Sequence, residues 1–157
     1  MKRKIIAGEL NEQFNRAWRM IRETISGFSE SDWITAGVDY LAPARIAYHL
    51  IETVEYYIGE KIKNEFSWGK RFGGGWMDIE KDRLPRQDDM LVYLEEVEGK
   101  LTDWLGRCDF EKENMLFKHT GKTLLGHVLY VLRHTLDHHG QLNSLLYQTG
   151  IKRINWH

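Results

Sequence analysis

The sequence predicts an all-α protein, a four-helix bundle with a long connection between its second and third helices. Apolar residues recur at three- and four-residue spacing in four separate stretches, and no long segment shows the alternation of a half-buried strand. A chain of 157 residues is long enough for one buried core and short for two ordinary domains. We therefore expect a single domain over residues 1–157, in which each helix buries one stripe against its neighbours.

The first two predicted helices each carry a clear apolar stripe. The first is expected to end near Gly27, and the second to run from about Ala44 to Asn64. Pro43 suits the first turn of the second helix because proline lacks the amide hydrogen that would go unpaired there. The stripes are Leu10, Phe14, Ala17, Ile21, Ile25 and Phe28 in the first helix, and Ile46, Leu50, Val54, Tyr57 and Ile58 in the second.

The third and fourth predicted helices have recognisable ends. The third is expected from about Asp88 to Gly106, since acidic residues are favourable near the positive start of a helix. The fourth is expected to begin near Thr123 and to end near Thr149–Gly150, where glycine supplies a left-handed stop.

The connection over residues 66–86 is longer than most links inside a compact domain. It contains Trp68, Phe72 and Trp76. These rings suit either a lid over a substrate or a cap on one end of the bundle, and the sequence favours neither reading over the other.

Composition excludes several classes of function. Lysine and arginine number 22 against 23 acidic residues, so the chain has no electrostatic footprint for nucleic acid or anionic lipid. No apolar run reaches the length of a signal-peptide core or a membrane span. Cys108 is the only cysteine, which rules out an intramolecular disulfide and a thiolate-rich zinc site. We expect a cytoplasmic protein that acts on a small molecule.

Three histidines form the main candidate site. His134 and His138 are four residues apart, so on a helix both imidazoles project from one face and can reach one ion. If His49 joins them from a neighbouring helix, the ion has three neutral nitrogen ligands and one open position, which is typical of a catalytic metal. Such a site favours zinc or nickel, and iron, copper, cobalt or manganese are further options.

The other histidines are expected to lie outside this ligand set. His127 shares the face of His134 but stands seven residues earlier, too far along the axis for one ion, so we assign it to packing or to the ligands' surroundings. His139 points away from His138 on a helical wheel. His119 and His157 fall in a predicted loop and in the tail.

Three known metal motifs fit poorly or in part. The zincin signature needs glutamate directly after the first histidine, where this chain has Thr135. The inverted form needs an acid directly before the second histidine, and Asp137 stands there in place of glutamate. A metalloprotease therefore stays an alternative function. Di-iron bundles need Glu-x-x-His, whereas His49 and Glu52 give the reverse order.

Five further residues are candidates for roles around the ion. Glu52, one turn from His49, is a proton acceptor, a fourth ligand or a solvated surface acid, and we favour the last. Asp137 and Gln141 are the nearest candidates for orienting the ligands or a bound water by hydrogen bonds. Trp76, together with Trp33, would form an apolar pocket wall or be buried at the bundle ends.

The order of these motifs resembles the DinB-like (DinB/YfiT) metalloenzyme family over nearly the whole chain. The motifs are residues 43–50 with His49, the segment Leu124-Leu125-Gly126-His127-Val128, and His134-x-x-x-His138 followed by Gly140-Gln141-Leu142. The resemblance implies a four-helix bundle, often a homodimer, with one divalent ion held by three histidines that match His49, His134 and His138. Relatives include metal-dependent transferases and isomerases that use low-molecular-weight thiols such as bacillithiol, mycothiol or glutathione.

A metal-dependent enzyme is therefore the leading functional prediction. An ion held by three neutral imidazoles keeps its charge and acidifies a thiol or a water at its open position, as a thiol S-transferase or a hydrolase requires. The alternative is a non-catalytic, stress-associated dimeric bundle with a structural or vestigial metal site.

Overall fold

The chain folds into helices and loops. The computed structural model describes residues 2–151 and 154–157, and within these it contains five α-helices and no strand. Glu113 and Thr123 form an isolated antiparallel bridge. The all-α class is therefore confirmed. The helices are α1 (Lys2–Gly27), α2 (Glu30–Trp33), α3 (Pro43–Tyr57), α4 (Gln87–Arg107) and α5 (Leu124–Gln148), with 3₁₀ turns at Asp39–Leu41, Lys81–Arg83 and Lys118–Thr120.

The four long helices share one hydrophobic core. Helices α1 and α3 each pack against both α4 and α5, so every long helix has two long neighbours. The predicted apolar stripes face this core because burial of such side chains is the main favourable contribution to folding. Its largest fully buried side chains are Phe14, Trp18, Ile21 and Ile25 from α1, Tyr48, Leu50 and Ile51 from α3, and Met90, Tyr93, Leu94 and Leu101 from α4, joined by Trp33.

Several predicted helix ends are confirmed. Helix α1 ends at Gly27, where a Cβ atom would stand 3.0 Å from the side chain of Leu146, so glycine lets α1 and α5 approach closely. Thr123 caps α5, since its Oγ1 accepts a hydrogen bond from the amide of Gly126 at 3.3 Å. Gly150 follows α5 with φ of 94°, a left-handed conformation that favours glycine.

The predicted end of the second helix at Asn64 is wrong, because α3 ends at Tyr57. Gly59 weakens a helix by about 1 kcal/mol relative to alanine. The next position that would face the core is Ile62, which is 46% exposed, so burial does not compensate for that cost. The chain instead turns away from α3 after Ile58.

The short helix α2 was not predicted, although the sequence carries a signal for it. Ser29 stands at its N-cap and accepts a hydrogen bond from the amide of Asp32 at 3.1 Å. This one-turn helix places the buried Trp33 against Phe28 and lets its indole nitrogen donate to the carbonyl of Pro85 at 2.9 Å.

Residues 66–86, which we call the strap, lie across α3 and reach α4. Three side chains of α3 bind the strap backbone, and Arg71 of the strap pairs with Glu96 of α4. The strap therefore takes its shape from the helices beneath it. The three bonds run from Gly69 N to Glu52 Oε1 at 2.7 Å, from Tyr48 Oη to the Gly74 carbonyl at 3.2 Å, and from Arg45 Nη1 to the Trp76 carbonyl at 2.8 Å.

Across residues 2–151 and 154–157, every helix falls short of the combination of length and hydrophobicity that a membrane crossing requires.

Candidate metal centre

The three predicted ligand residues come together between α3 and α5. One nitrogen from each of His49, His134 and His138 lies within 4.8 Å of the others. The Nε2 atoms of His134 and His138 are 3.1 Å apart. The ring of His49 is centred 5.5 Å from that of His134 and 4.6 Å from that of His138.

Helix geometry explains this convergence. Four residues make slightly more than one helical turn, so His134 and His138 project from the same face of α5. Helix α3 packs against α5 and supplies His49 from the opposite side. All three side chains are half-buried, which keeps them in contact with each other and within reach of solvent.

Hydrogen bonds orient two of the imidazoles. His138 Nδ1 lies 2.9 Å from Gln141 Oε1, and because an amide oxygen only accepts, Nδ1 carries the proton and Nε2 keeps its lone pair. His49 Nδ1 lies 3.4 Å from the hydroxyl of Thr53, one turn further along α3. Such partners fix the tautomer of a metal-ligating histidine. The buried Nδ1 of His134 has no hydrogen-bond partner among the described residues.

Burial keeps His49 and His134 neutral near physiological pH. Burial, followed by the charges of His138 and His134, lowers the pKa of His49 to about 4. Burial, followed by the charge of His138, also lowers the pKa of His134 to about 4. Neutral imidazole is the form that binds metal.

We predict that the metal-free protein loses stability as the pH falls from about 7 to about 5. In the unfolded chain these histidines bind protons near pH 6.5, whereas His49 and His134 in the fold do so only near pH 4. The unfolded state therefore binds more protons than the folded state in this window. Acidification from pH 7 to pH 5 should lower the free energy of unfolding by roughly 2 to 4 kcal/mol. Urea denaturation in chelator at several pH values measures the effect.

The control for this experiment is His49→Gln, which removes one of the groups that the fold holds neutral. Its free energy of unfolding should fall less steeply over the same pH range. Equal slopes for the variant and the natural protein would show that His49 does not contribute to the pH dependence.

The strap covers one side of the cluster. The ring of Trp76 is centred 4.6 Å from that of His49. Buried Arg45, one turn before His49, holds the backbone of Trp76 through its carbonyl and pairs with Asp39 at 3.0 Å. Trp76 is thus beside the site, as a pocket wall requires, while Trp33 is buried against Phe28.

Two tyrosines lie beside His134, and a histidine lies beside one of them. The hydroxyl of Tyr57 is 3.4 Å from that of Tyr130 and 3.3 Å from Nε2 of His119. Both tyrosine rings pack near His134, at centroid distances of 6.4 and 6.3 Å. His119 is outside the three-residue cluster, as expected, and contacts Tyr57 rather than a proposed ligand. Tyr130 precedes His134 by one turn, a spacing visible in the sequence.

Of the two residues predicted to orient the metal ligands, one contacts a ligand and the other does not. Gln141 contacts His138, as predicted, whereas Asp137 is exposed and only its negative charge acts on His134. Sequence reasoning missed Thr53, which is one turn from His49 on the same face.

The prediction of a solvated Glu52 is wrong, because only 3% of this residue is exposed. Its Oε1 accepts the amide hydrogen of Gly69, and burial raises the pKa of its carboxyl. The strap covers the Glu52 side chain. Without the strap, this face of α3 would be exposed to water.

His127 and His139 are buried and structural, which agrees with the expectation that neither is a ligand. His127 is 2.6 Å from Thr120 Oγ1 and 2.8 Å from the carbonyl of Tyr57, while His139 is 3.1 Å from Thr24 Oγ1. His157 pairs with Glu23 at 2.6 Å.

The chain matches no family model, no curated protein and no solved structure. The interpretation of this site therefore depends on its geometry and donor chemistry.

Proposed function

We propose that His49, His134 and His138 bind one divalent metal ion, and that the protein is a DinB-like four-helix bundle enzyme that acts on a small molecule. The observation that carries this proposal is the convergence of three ligand nitrogens, from two helices far apart in the sequence, to within 4.8 Å of each other. The packing of four long helices around one core supports the proposed bundle.

The spacing of the nitrogens suits one ion. Two nitrogens bound at 2.0–2.1 Å in a tetrahedral site stand about 3.3 Å apart. The His134 and His138 Nε2 atoms are 3.1 Å apart, close to that value. All three nitrogens lie within 4.8 Å of one another, so small side-chain movements would bring them to the spacing that one ion requires. Three neutral imidazoles favour zinc or nickel over calcium or magnesium.

The surroundings suit an enzyme better than a closed structural site. Bound here, a divalent ion lowers the pKa of a thiol or water at its open position, which makes a nucleophile available near neutral pH. Trp76 offers an apolar wall for a substrate. The ring of Tyr57 packs near His134, and its hydroxyl lies 3.3 Å from Nε2 of exposed His119, so polar groups as well as apolar ones surround the cluster.

The activity test uses the protein loaded with zinc or with nickel, a chromogenic electrophile, and bacillithiol, mycothiol or glutathione. A thiol S-transferase should show turnover that requires both metal and thiol. Metal-dependent ester hydrolysis without thiol would instead identify a hydrolase. Rates that survive removal of the metal by a chelator would contradict both activities, and a tightly held metal without turnover would support the non-catalytic alternative.

We predict that Gln141→Ala weakens metal binding about 10- to 100-fold, because His138 loses the acceptor that fixes its tautomer. Asp137→Ala is the matched control, since Asp137 is exposed on the same turn and makes no hydrogen bond to the ligands among the described residues. Competition with a chromogenic chelator measures both affinities. Equal affinities for the two variants would argue against a role for Gln141.

We further propose a homodimer, by resemblance to the same family. Leu129 and Leu136, seven residues apart on one face of α5, are 50% and 40% exposed, and a dimer would bury such a face. A monomeric mass in solution by light scattering would overturn this part of the proposal.

A further inference from the structure

A cavity separate from the histidine cluster lies between α3, α4 and the start of the strap. Its volume is about 760 Å³, within the range of small-molecule pockets. Apolar and aromatic side chains form much of its wall, namely Ile58, Phe66, Tyr93 and Trp104. The three proposed metal ligands are not among the residues that line it.

Glu52 is one of the residues that line this cavity, and its carboxyl group lacks one partner. Its Oε1 accepts from the amide of Gly69 at 2.7 Å, but within residues 2–151 and 154–157 its buried Oε2 has no hydrogen-bond partner. Burial raises the pKa of the Glu52 carboxyl, and the hydroxyl of Tyr48 is near enough to oppose this in part. That hydroxyl donates its proton to the carbonyl of Gly74 at 3.2 Å, however, which leaves Oε2 without a donor among the described residues. Leaving a buried carboxyl oxygen without a donor costs about 1–3 kcal/mol, more if it is charged.

The other charges of the cavity compensate each other. Glu55 is bound by Lys100 and by the hydroxyl of Tyr93, and Arg71 is bound by Glu96. At the mouth, exposed Lys61, Lys70 and Arg107 stand beside exposed Glu60 and Asp103, so no single sign dominates there. The uncompensated group is Glu52, beneath aromatic walls that also attract cations.

We propose that this cavity binds a small molecule with a protonated primary amine on an apolar or aromatic body. The ammonium group donates to Oε2 of Glu52 and neutralises the carboxylate, and the body packs between Trp104, Phe66 and Tyr93. A charge-assisted hydrogen bond of this kind is about twice as strong as a neutral one. This inference is independent of the metal proposal, since it uses none of the three histidines.

The first experiment titrates the natural protein with phenethylamine and with 2-phenylethanol, which replaces the ammonium by a neutral hydroxyl. Chemical shifts of the Trp104 indole, assigned with a Trp104→Phe variant, report binding in NMR spectra. Phenethylamine should bind at least about tenfold more tightly than the alcohol. Equal affinities for the two compounds, or no shift with phenethylamine at millimolar concentration, would overturn the proposal.

The second experiment uses Glu52→Gln, which separates recognition of the ligand from support of the strap. The glutamine carbonyl can still accept from the amide of Gly69, while its NH₂ group replaces the unpartnered oxygen and repels an ammonium. Affinity for phenethylamine should fall by about tenfold or more. The matched control is Glu60→Gln at the exposed mouth of the same cavity, whose affinity should stay within about twofold of the natural protein.

If both glutamine variants bind phenethylamine as the natural protein does, Glu52 has only its role in holding the strap, and the proposed site is wrong. The comparison of the amine with the alcohol needs no variant, so the proposal remains testable if Glu52→Gln fails to fold.

Discussion

Replacing His134 and His138 together by alanine is expected to reduce bound metal from about one ion per chain to background. The variant leaves His49 as the single remaining imidazole of the cluster, and one neutral nitrogen on a half-buried surface does not hold a divalent ion against water. Both side chains are polar and incompletely buried, so the fold should survive their truncation. Elemental analysis of untagged protein, purified without added chelator, gives the stoichiometry.

The matched control removes two histidines that lie outside the ligand set, His119 and His157. His119→Ala/His157→Ala should keep the full metal content. Circular dichroism of both double variants checks that each remains helical. Equal metal content in His134→Ala/His138→Ala and the natural protein would end the proposal of a metal at this cluster.

Gly69→Ala is expected to displace the strap and to destabilise the native state by roughly 2 to 4 kcal/mol. Gly69 has φ of 75°, a left-handed conformation that is unfavourable for alanine. A Cβ atom there would also stand 2.5 Å from the amide nitrogen of Gly75 and 2.6 Å from the carbonyl carbon of Gly74, and backbone atoms cannot rotate away. Displacement would leave the buried Glu52 without its hydrogen bond from Gly69.

Gly73→Ala is the control that separates conformational strain from collision. Gly73 also has φ of 75°, but its added Cβ would meet only the end of the flexible Arg83 side chain, at 3.4 Å. We expect it to cost about 1–2 kcal/mol. Urea denaturation measures both variants, and limited proteolysis reports opening of the strap. Similar losses in the two variants would show that the close approach of Gly69 to Gly74 and Gly75 does not matter.

The Gly69→Ala variant also tests how the strap relates to the histidine cluster. The ligand residues come from α3 and α5, so metal content should be retained even when the strap opens. Trp76, however, would no longer pack beside His49. If the variant keeps its metal but loses turnover, the strap acts on the substrate and does not help to hold the ion.

Much of the fold could be predicted from local patterns. The stripe from Leu10 to Phe28, the start of α5 near Thr123 and the left-handed Gly150 each depend on a few neighbouring residues, and each is present as expected. The end of α3 was missed because an apolar pattern continues to Ile58 and Ile62, whereas the core extends only as far as Ile58. Whether an apolar residue prolongs a helix depends on what there is to bury it.

The i, i+4 pair of His134 and His138 is a property of the chain alone, because helical periodicity places both side chains on one face wherever that helix lies. The presence of His49 opposite them, the burial of Glu52 beneath Gly69 and the place of His119 beside Tyr57 depend on how α3, α5 and the loops pack. Neighbours in sequence set which groups a helix presents, and the closeness of groups far apart in sequence follows from the burial of the whole core.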